Sequence, residues 1–173
     1  MNLESLQYPI GKFQKPDVIS QHTIDAWITE IESLPVRLRE LCATLSEVQL
    51  ETTYRPGGWI VRQVIHHLAD SHMNAYIRLK LAVTEENPTI RPYFEDRWAE
   101  CEDGKHADVS LSLNLLEALH KRLVLFIRSL KPDELNRTYF HPESQKTFVL
   151  KEVIGIYAWH GNHHLKHVRS TLN

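Results

Sequence analysis

Cysteine is scarce in this chain of 173 residues: only Cys42 and Cys101 occur. They form no CxxC pair, which argues against a thiolate zinc site or a disulfide framework. Two reduced thiols in a cytosolic protein is the simpler reading, so the expected compartment is cytoplasmic. Long apolar runs are missing too, and none approaches the ~20 residues that a membrane span needs. The opening Met1-Asn2-Leu3-Glu4-Ser5 lacks the basic and apolar regions of a signal peptide. The formal net charge is -2 and no basic block or stripe occurs. That argues against nucleic acid and against electrostatic attachment to a membrane. Also lacking are a Ser-His-Asp or Cys-His signature, a glycine-rich phosphate loop and an HExxH sequence. The last absence removes the obvious general base of a metalloprotease.

Histidine, by contrast, is abundant, with eleven residues. Seven of them fall in two clusters: His66-His67 with His72, and His160-Gly161-Asn162-His163-His164-Leu165-Lys166-His167. The second is interspersed with other residues, unlike a purification tag. Histidine is the commonest ligand of transition metals and the usual base near neutral pH.

The length suits one domain with a sizeable core, spanning 1–173. Residues 1 to 19 carry Pro9, Gly11 and Pro16 and read as an irregular arm. Ser20 is a plausible N-cap for a first helix with apolar positions at Trp27, Ile31, Leu34, Leu38, Leu41 and Leu45. Pro35 predicts a kink or break in it. Arg55-Pro56-Gly57-Gly58 is a turn, after which Val61, Ile65, Leu68, Tyr76, Leu79 and Val83 mark a second helix, ended by Asn87-Pro88. A loop follows to about Ala107, with one helical turn near Glu95 to Glu100. Asp108 caps a third helix striped by Leu113, Leu116, Leu119, Leu123, Ile127 and Leu130. Thr138-Tyr139-Phe140-His141-Pro142 and Lys146-Thr147-Phe148-Val149 can pair as a small hairpin, and a fourth helix runs from about Leu150 to Thr171. The expected fold is all-α, a four-helix bundle with two long connections.

Residues four apart on a helix share a face to within ~40°. His160 and His164 can therefore aim two imidazoles at one point, and an imidazole from the second helix would make a third. Three protein ligands with an open fourth position is the pattern of a catalytic metal site. In the fourth helix the histidines continue the apolar face of Val153 and Ile156, where a shared metal would offset the cost of their burial. Spacing alone leaves His163 with His167, and His160 with His163, as rival pairs, and does not choose between His66 and His67.

The segment from Gly57 to Asn74, with His66-His67-Leu68-Ala69-Asp70-Ser71-His72-Met73-Asn74 at its centre, resembles the DinB-like metalloprotein superfamily. Within it the chain is most similar to the YfiT-type metal-dependent hydrolases of bacilli. Tyr8-Pro9-Ile10-Gly11, Ile90-Arg91-Pro92-Tyr93 and Tyr157-Ala158-Trp159-His160 carry the same likeness. The resemblance implies an antiparallel four-helix bundle, a homodimer, and one zinc or nickel ion per chain held by His67, His160 and His164. All-nitrogen ligation by itself suits zinc, nickel, copper or iron.

Ligating histidines commonly donate their second ring nitrogen to a carboxylate or carbonyl. Asp70 is a candidate for that support, against a solvated helix-face acid. His163 is a second candidate, against a core role. His72 falls on the apolar stripe, where a satisfied core histidine competes with a supporting one. Arg91 and Tyr93 lie in the long loop as pocket-lining or loop-anchoring residues. No catalytic acid or base is identifiable. Three functions are consistent with these residues: a metal-dependent hydrolase acting on a small molecule, a thiol S-transferase using bacillithiol, which the resemblance suggests, and a non-catalytic metal-binding stress-response module.

Overall fold

A computed structural model describes residues 3–172. Met1 and Asn2, the start of the stretch read above for a signal peptide, lie outside the described residues. Helix α1 (Leu3–Gln7) opens the arm that was expected to be irregular. Helix α2 (Gln21–Cys42) begins after Ser20, whose hydroxyl accepts the Thr23 N–H at 3.1 Å. Its apolar face buries Ile24, Ile28, Ile31, Leu34 and Leu38. Pro35 does not break it. Proline lacks the N–H that would bond the carbonyl four residues back, and that carbonyl, on Ile31, instead accepts Nδ1–H of His120 at 2.6 Å. A buried carbonyl needs such a partner, and here it comes from across the core.

Helix α3 (Glu47–Leu50) is a single turn in the connection to α4 (Val61–Thr84). The Gln63 side chain caps the start of α4 by accepting the Ile60 N–H at 3.1 Å. The long loop holds α5 (Glu95–Ala99) and α6 (Glu102–His106), then Asp108 caps α7 (Val109–Ser129). Strands β1 (Thr138–His141) and β2 (Lys146–Val149) pair antiparallel, Thr138 opposite Val149 and His141 opposite Lys146. Helix α8 (Leu150–Ser170) follows directly. Among the described residues no helix is long and apolar enough to cross a membrane.

The four long helices form a ring in which α2 packs on α7 and α8, and α4 packs on the same two. Contacting residues give the directions. Ile31 meets His120 and Arg39 meets Glu117, so α2 and α7 are antiparallel. His67 meets His160 and His72 meets Tyr157, so α4 and α8 are antiparallel. Trp27 lies against Gly155 and Arg37 bonds Asn162, which makes α2 and α8 parallel. His66 meets Ser112 and His72 meets His120, which makes α4 and α7 parallel. The four-helix bundle is thus present, but only two of its four neighbouring pairs are antiparallel. The cause is the long connections: the segment carrying α5 and α6 returns the chain along the bundle before α7 starts.

Parallel packing of α2 on α8 relies on glycine. A Cβ at Gly161 would sit 2.5 Å from Leu34 Cδ2, and one at Gly155 would sit 2.7 Å from the Trp27 ring. Leu34 is fully buried and has no room to retreat. Gly161→Val is expected to destabilise the protein by about 1–3 kcal/mol through overpacking. Urea unfolding would show it, and adding Leu34→Ala should recover part of the loss because the two sites share one space.

The core forms two apolar blocks, one including Ile28, Leu79, Leu123 and Ile154, the other Leu38, Leu68, Leu116 and Leu165. Along α4 and α7 the boundary between them falls at His72 and His120, both almost wholly buried. A layer of imidazoles therefore crosses the middle of the bundle.

Candidate metal centre

Helix α8 presents His160 and His164 one turn apart, and α4 presents His67 across from them. His67 Nε2 lies 3.3 Å from His160 Nε2. One ring nitrogen from each of the three lies within 4.8 Å of the others. The cluster borders a cavity of about 550 Å³, whose wall also includes Trp59, Ser71, Arg78, Tyr93 and Tyr157. A second group, His163, His164 and His167, meets the same distance limit and shares His164.

Burial pushes His67 down to about 4. Burial, then the neighbouring imidazoles, holds His160 and His164 well below the ordinary range. All three are therefore neutral at pH 7, and a neutral imidazole has one N–H and one lone pair. Which nitrogen carries the proton follows from the hydrogen-bond network. The Ile31 carbonyl can only accept, so His120 donates from Nδ1. His120 Nε2 then accepts Nδ1–H of His72 at 2.9 Å. His72 Nε2 in turn accepts Nδ1–H of His160 at 3.3 Å. His160 Nε2 is left bare, facing His67.

A shorter chain stands behind His164. The Leu6 carbonyl takes Nε2–H of His167 at 3.1 Å. His167 Nδ1 then accepts Nδ1–H of His164 at 3.3 Å, which leaves His164 Nε2 bare. Each α8 histidine is thus set in one tautomer by a chain of neutral imidazoles ending on a backbone carbonyl. Pro35 is part of this device, since it frees the Ile31 carbonyl.

The donor set fits a transition metal. Bonds of ~2.0–2.1 Å in tetrahedral array place neighbouring nitrogens ~3.3–3.4 Å apart, and His67 and His160 present Nε2 atoms at 3.3 Å. Neutral nitrogen ligands suit zinc, nickel, copper or iron.

The structure thus brings His67, His160 and His164 together, and it places the candidate supports elsewhere. No hydrogen bond joins the Asp70 carboxylate to His67 among the described residues, and burial, then Asp103, pushes that carboxyl up to about 6. His163 does not hold a ligand either: its Nδ1 is buried without a partner, and its ring stacks on Trp159 at 4.6 Å. His66 turns away, toward Ser112 Oγ at 2.7 Å and the Ala107 carbonyl at 3.2 Å. Of the loop residues, Tyr93 borders the cavity, while Arg91 gives its carbonyl to Arg78.

The side chains that hydrogen-bond behind His160 and His164 are His72, with His120 behind it, and His167. Sequence reasoning missed His120, although a signal was present. It takes a place on the stripe Leu113, Leu116, Leu123, Ile127 that an apolar residue would otherwise fill. His120→Phe is expected to keep the fold but weaken metal affinity about 10- to 100-fold, as read by competition with a chromophoric chelator. Unchanged affinity would show that the chain behind His160 is only packing.

The DinB superfamily profile matches residues 30–168. A protein of Oceanobacillus iheyensis named "Putative metal-dependent hydrolase OB0782" is 56% identical over 164 residues, covering 95% of this chain and 94% of its own. One of Bacillus mycoides, also named as a "Putative metal-dependent hydrolase", is 52% identical over 168 residues, covering 97% and 96%. Among solved structures, YfiT from Bacillus subtilis superposes with a TM-score of 0.94 at 45% identity, covering 96% of this chain and 95% of its own. It is described as a probable metal-dependent hydrolase with an unusual four-helix bundle topology. Histidine placement, bundle topology and sequence identity converge, and the chain belongs to the DinB superfamily.

Proposed function

We propose that this protein is a metal-dependent hydrolase whose centre is held by His67, His160 and His164, with zinc or nickel as the ion. One observation carries the proposal: bare Nε2 atoms of two tautomer-fixed imidazoles converge with His67 at the wall of a cavity. The names of the relatives support it. The alternative group His163, His164 and His167 draws on one turn of one helix, and a proton shared between His164 and His167 already occupies their contact.

When bound, such an ion supplies Lewis acidity toward water and toward a scissile carbonyl or phosphoryl group. The chain's own residues shape the rest. Trp59 packs on the His67 ring at 4.7 Å and walls off one side. Burial raises the phenols of Tyr93 and Tyr157, so both stay protonated, and both hydroxyls meet Ser71. They are positioned to orient a substrate oxygen. A cavity of about 550 Å³ suits a small molecule.

The test begins with untagged protein stripped of metal and reloaded with zinc or nickel, then offered ester, amide and phosphoester panels. One ion per chain is expected, with hydrolysis that chelation abolishes and the ion restores. Fully loaded protein that turns over none of these classes would sink the hydrolase reading. Reaction confined to bacillithiol plus an electrophile would replace it with thiol transfer.

A further inference from the structure

On α4, His67, Ser71 and Arg78 share one face, since steps of four and seven residues return to within ~40°. All three border the cavity. Arg78 is only 9% exposed, yet its partners are neutral. Its Nη2 donates to the Arg91 carbonyl at 3.4 Å. The Tyr157 hydroxyl meets the guanidinium as well, and Nε is buried with no partner. The comparably buried Arg62 is different: it pairs with Glu47 at 2.6 Å and Glu51 at 2.8 Å. Glu95, Asp96 and Glu143 also border the cavity, but they are exposed. Among the described residues no carboxylate lies within ion-pair distance of Arg78. A buried charge in that state carries a desolvation cost that neutral partners, including the Tyr93 ring 6.0 Å away, offset only in part and no carboxylate among the described residues neutralises.

We propose that Arg78 binds an anionic group of the substrate, so that the preferred substrates carry a terminal carboxylate or phosphate. This rests on the hydrolase reading of the same site. The planar guanidinium fork matches either oxyanion in two-pronged fashion. The spacing sets the substrate's length. Eleven residues of helix separate His67 from Arg78 along the axis by ~16 Å, and a long side chain leaning toward the helix N-terminus shortens that gap. Tyr157 spans the interval: its hydroxyl meets Arg78, and its ring lies 5.7 Å from that of His160. The oxyanion therefore sits on the order of 10 Å from the bond cleaved.

The experiment compares zinc-loaded wild type with Arg78→Gln and Arg78→Lys, titrating inorganic phosphate and glutarate by calorimetry. At least one anion should bind the wild type, weaken about 10- to 100-fold in Arg78→Gln, and recover in part in Arg78→Lys. The tighter of the two names the oxyanion. Equal affinities in all three proteins would mean that the ion alone holds the anion, and would overturn the proposal, as would no binding to wild type. A ligand-free readout accompanies it. Arg78→Met should raise the thermal midpoint by removing an unpaired buried charge, whereas a lowered midpoint would mark Arg78 as structural and overturn the proposal. For matched esters with and without a distal carboxylate, Arg78→Gln should raise KM for the charged one only. Absence of turnover would count against hydrolysis and leave the anion titration standing, so the two failures are distinguishable.

Discussion

Alanine at His160 is expected to leave the protein essentially metal-free and without metal-dependent hydrolysis. Losing a residue that merely supports a ligand costs about 10- to 100-fold in affinity, so losing the ligand should exceed ~100-fold. His160→Ala does both kinds of damage, because it also deprives His72 Nε2 of its donor. Stability supplies a second readout. An ion present at ~1,000 times its Kd stabilises the folded state by about 4 kcal/mol. Wild type should show that increment on adding zinc, and His160→Ala should show none. His66→Ala is the control, since its ring faces Ser112 and Ala107. Metal analysis decides the matter: full occupancy at unchanged affinity in His160→Ala would move the centre to other histidines.

Acid should be the second large effect. Burial holds both His67 and His120 down to about 4, against ~6.5 in an unfolded chain. Between those values the unfolded chain binds more protons than the folded one, so stability of metal-free protein falls as pH falls. Above pH ~6.5 these groups add no slope. Within the window each costs about 1.4 kcal/mol per pH unit, and the pair about 3 kcal/mol. His72, His160 and His164 shift the same way, with burial the leading cause. Asp70, raised to about 6, acts in the opposite sense over its own window and offsets part of the slope. Against total stabilities of about 5–15 kcal/mol, the metal-free protein should unfold near pH ~5. Urea midpoints at a series of pH values would measure the slope. A flat profile between neutrality and that point would mean that the native imidazoles titrate as they do in the unfolded chain and are not held neutral by burial.

Much of this molecule was legible in its sequence, for identifiable reasons. The four stripes of apolar residues located the long helices because 3.6-residue periodicity reports burial directly. Ser20 and Asp108 marked helix starts because their side chains accept backbone N–H groups there. The spacing of His160 and His164 was readable because both lie on one helix. What crosses between helices was not readable. Nothing local tells that His120 reaches His72, or that α2 and α8 run parallel, because those facts belong to the path of the connections. Asp70 was a reasonable support for His67 by spacing, yet no hydrogen bond joins the two among the described residues, and the imidazole chains stand behind His160 and His164. At Pro35 the expectation was a kink or a break; α2 continues through it, and a side chain from α7 uses the vacated acceptor.

The parallel seating of α8 on α2 also constrains how the chain reaches its fold. Arg37 and Asn162 are 125 residues apart in sequence yet bonded at 2.8 Å. During synthesis α2 emerges before α8 and cannot meet this neighbour until the intervening helices and α8 have been made. Pairings at such separation slow folding relative to a bundle of consecutive hairpins. Until then, the faces of α2 and α4 that α8 will cover stay open, and such surface is prone to aggregation. Helix α8 is also the one that brings His160 and His164, so closing the bundle and bringing the three histidines together are one event.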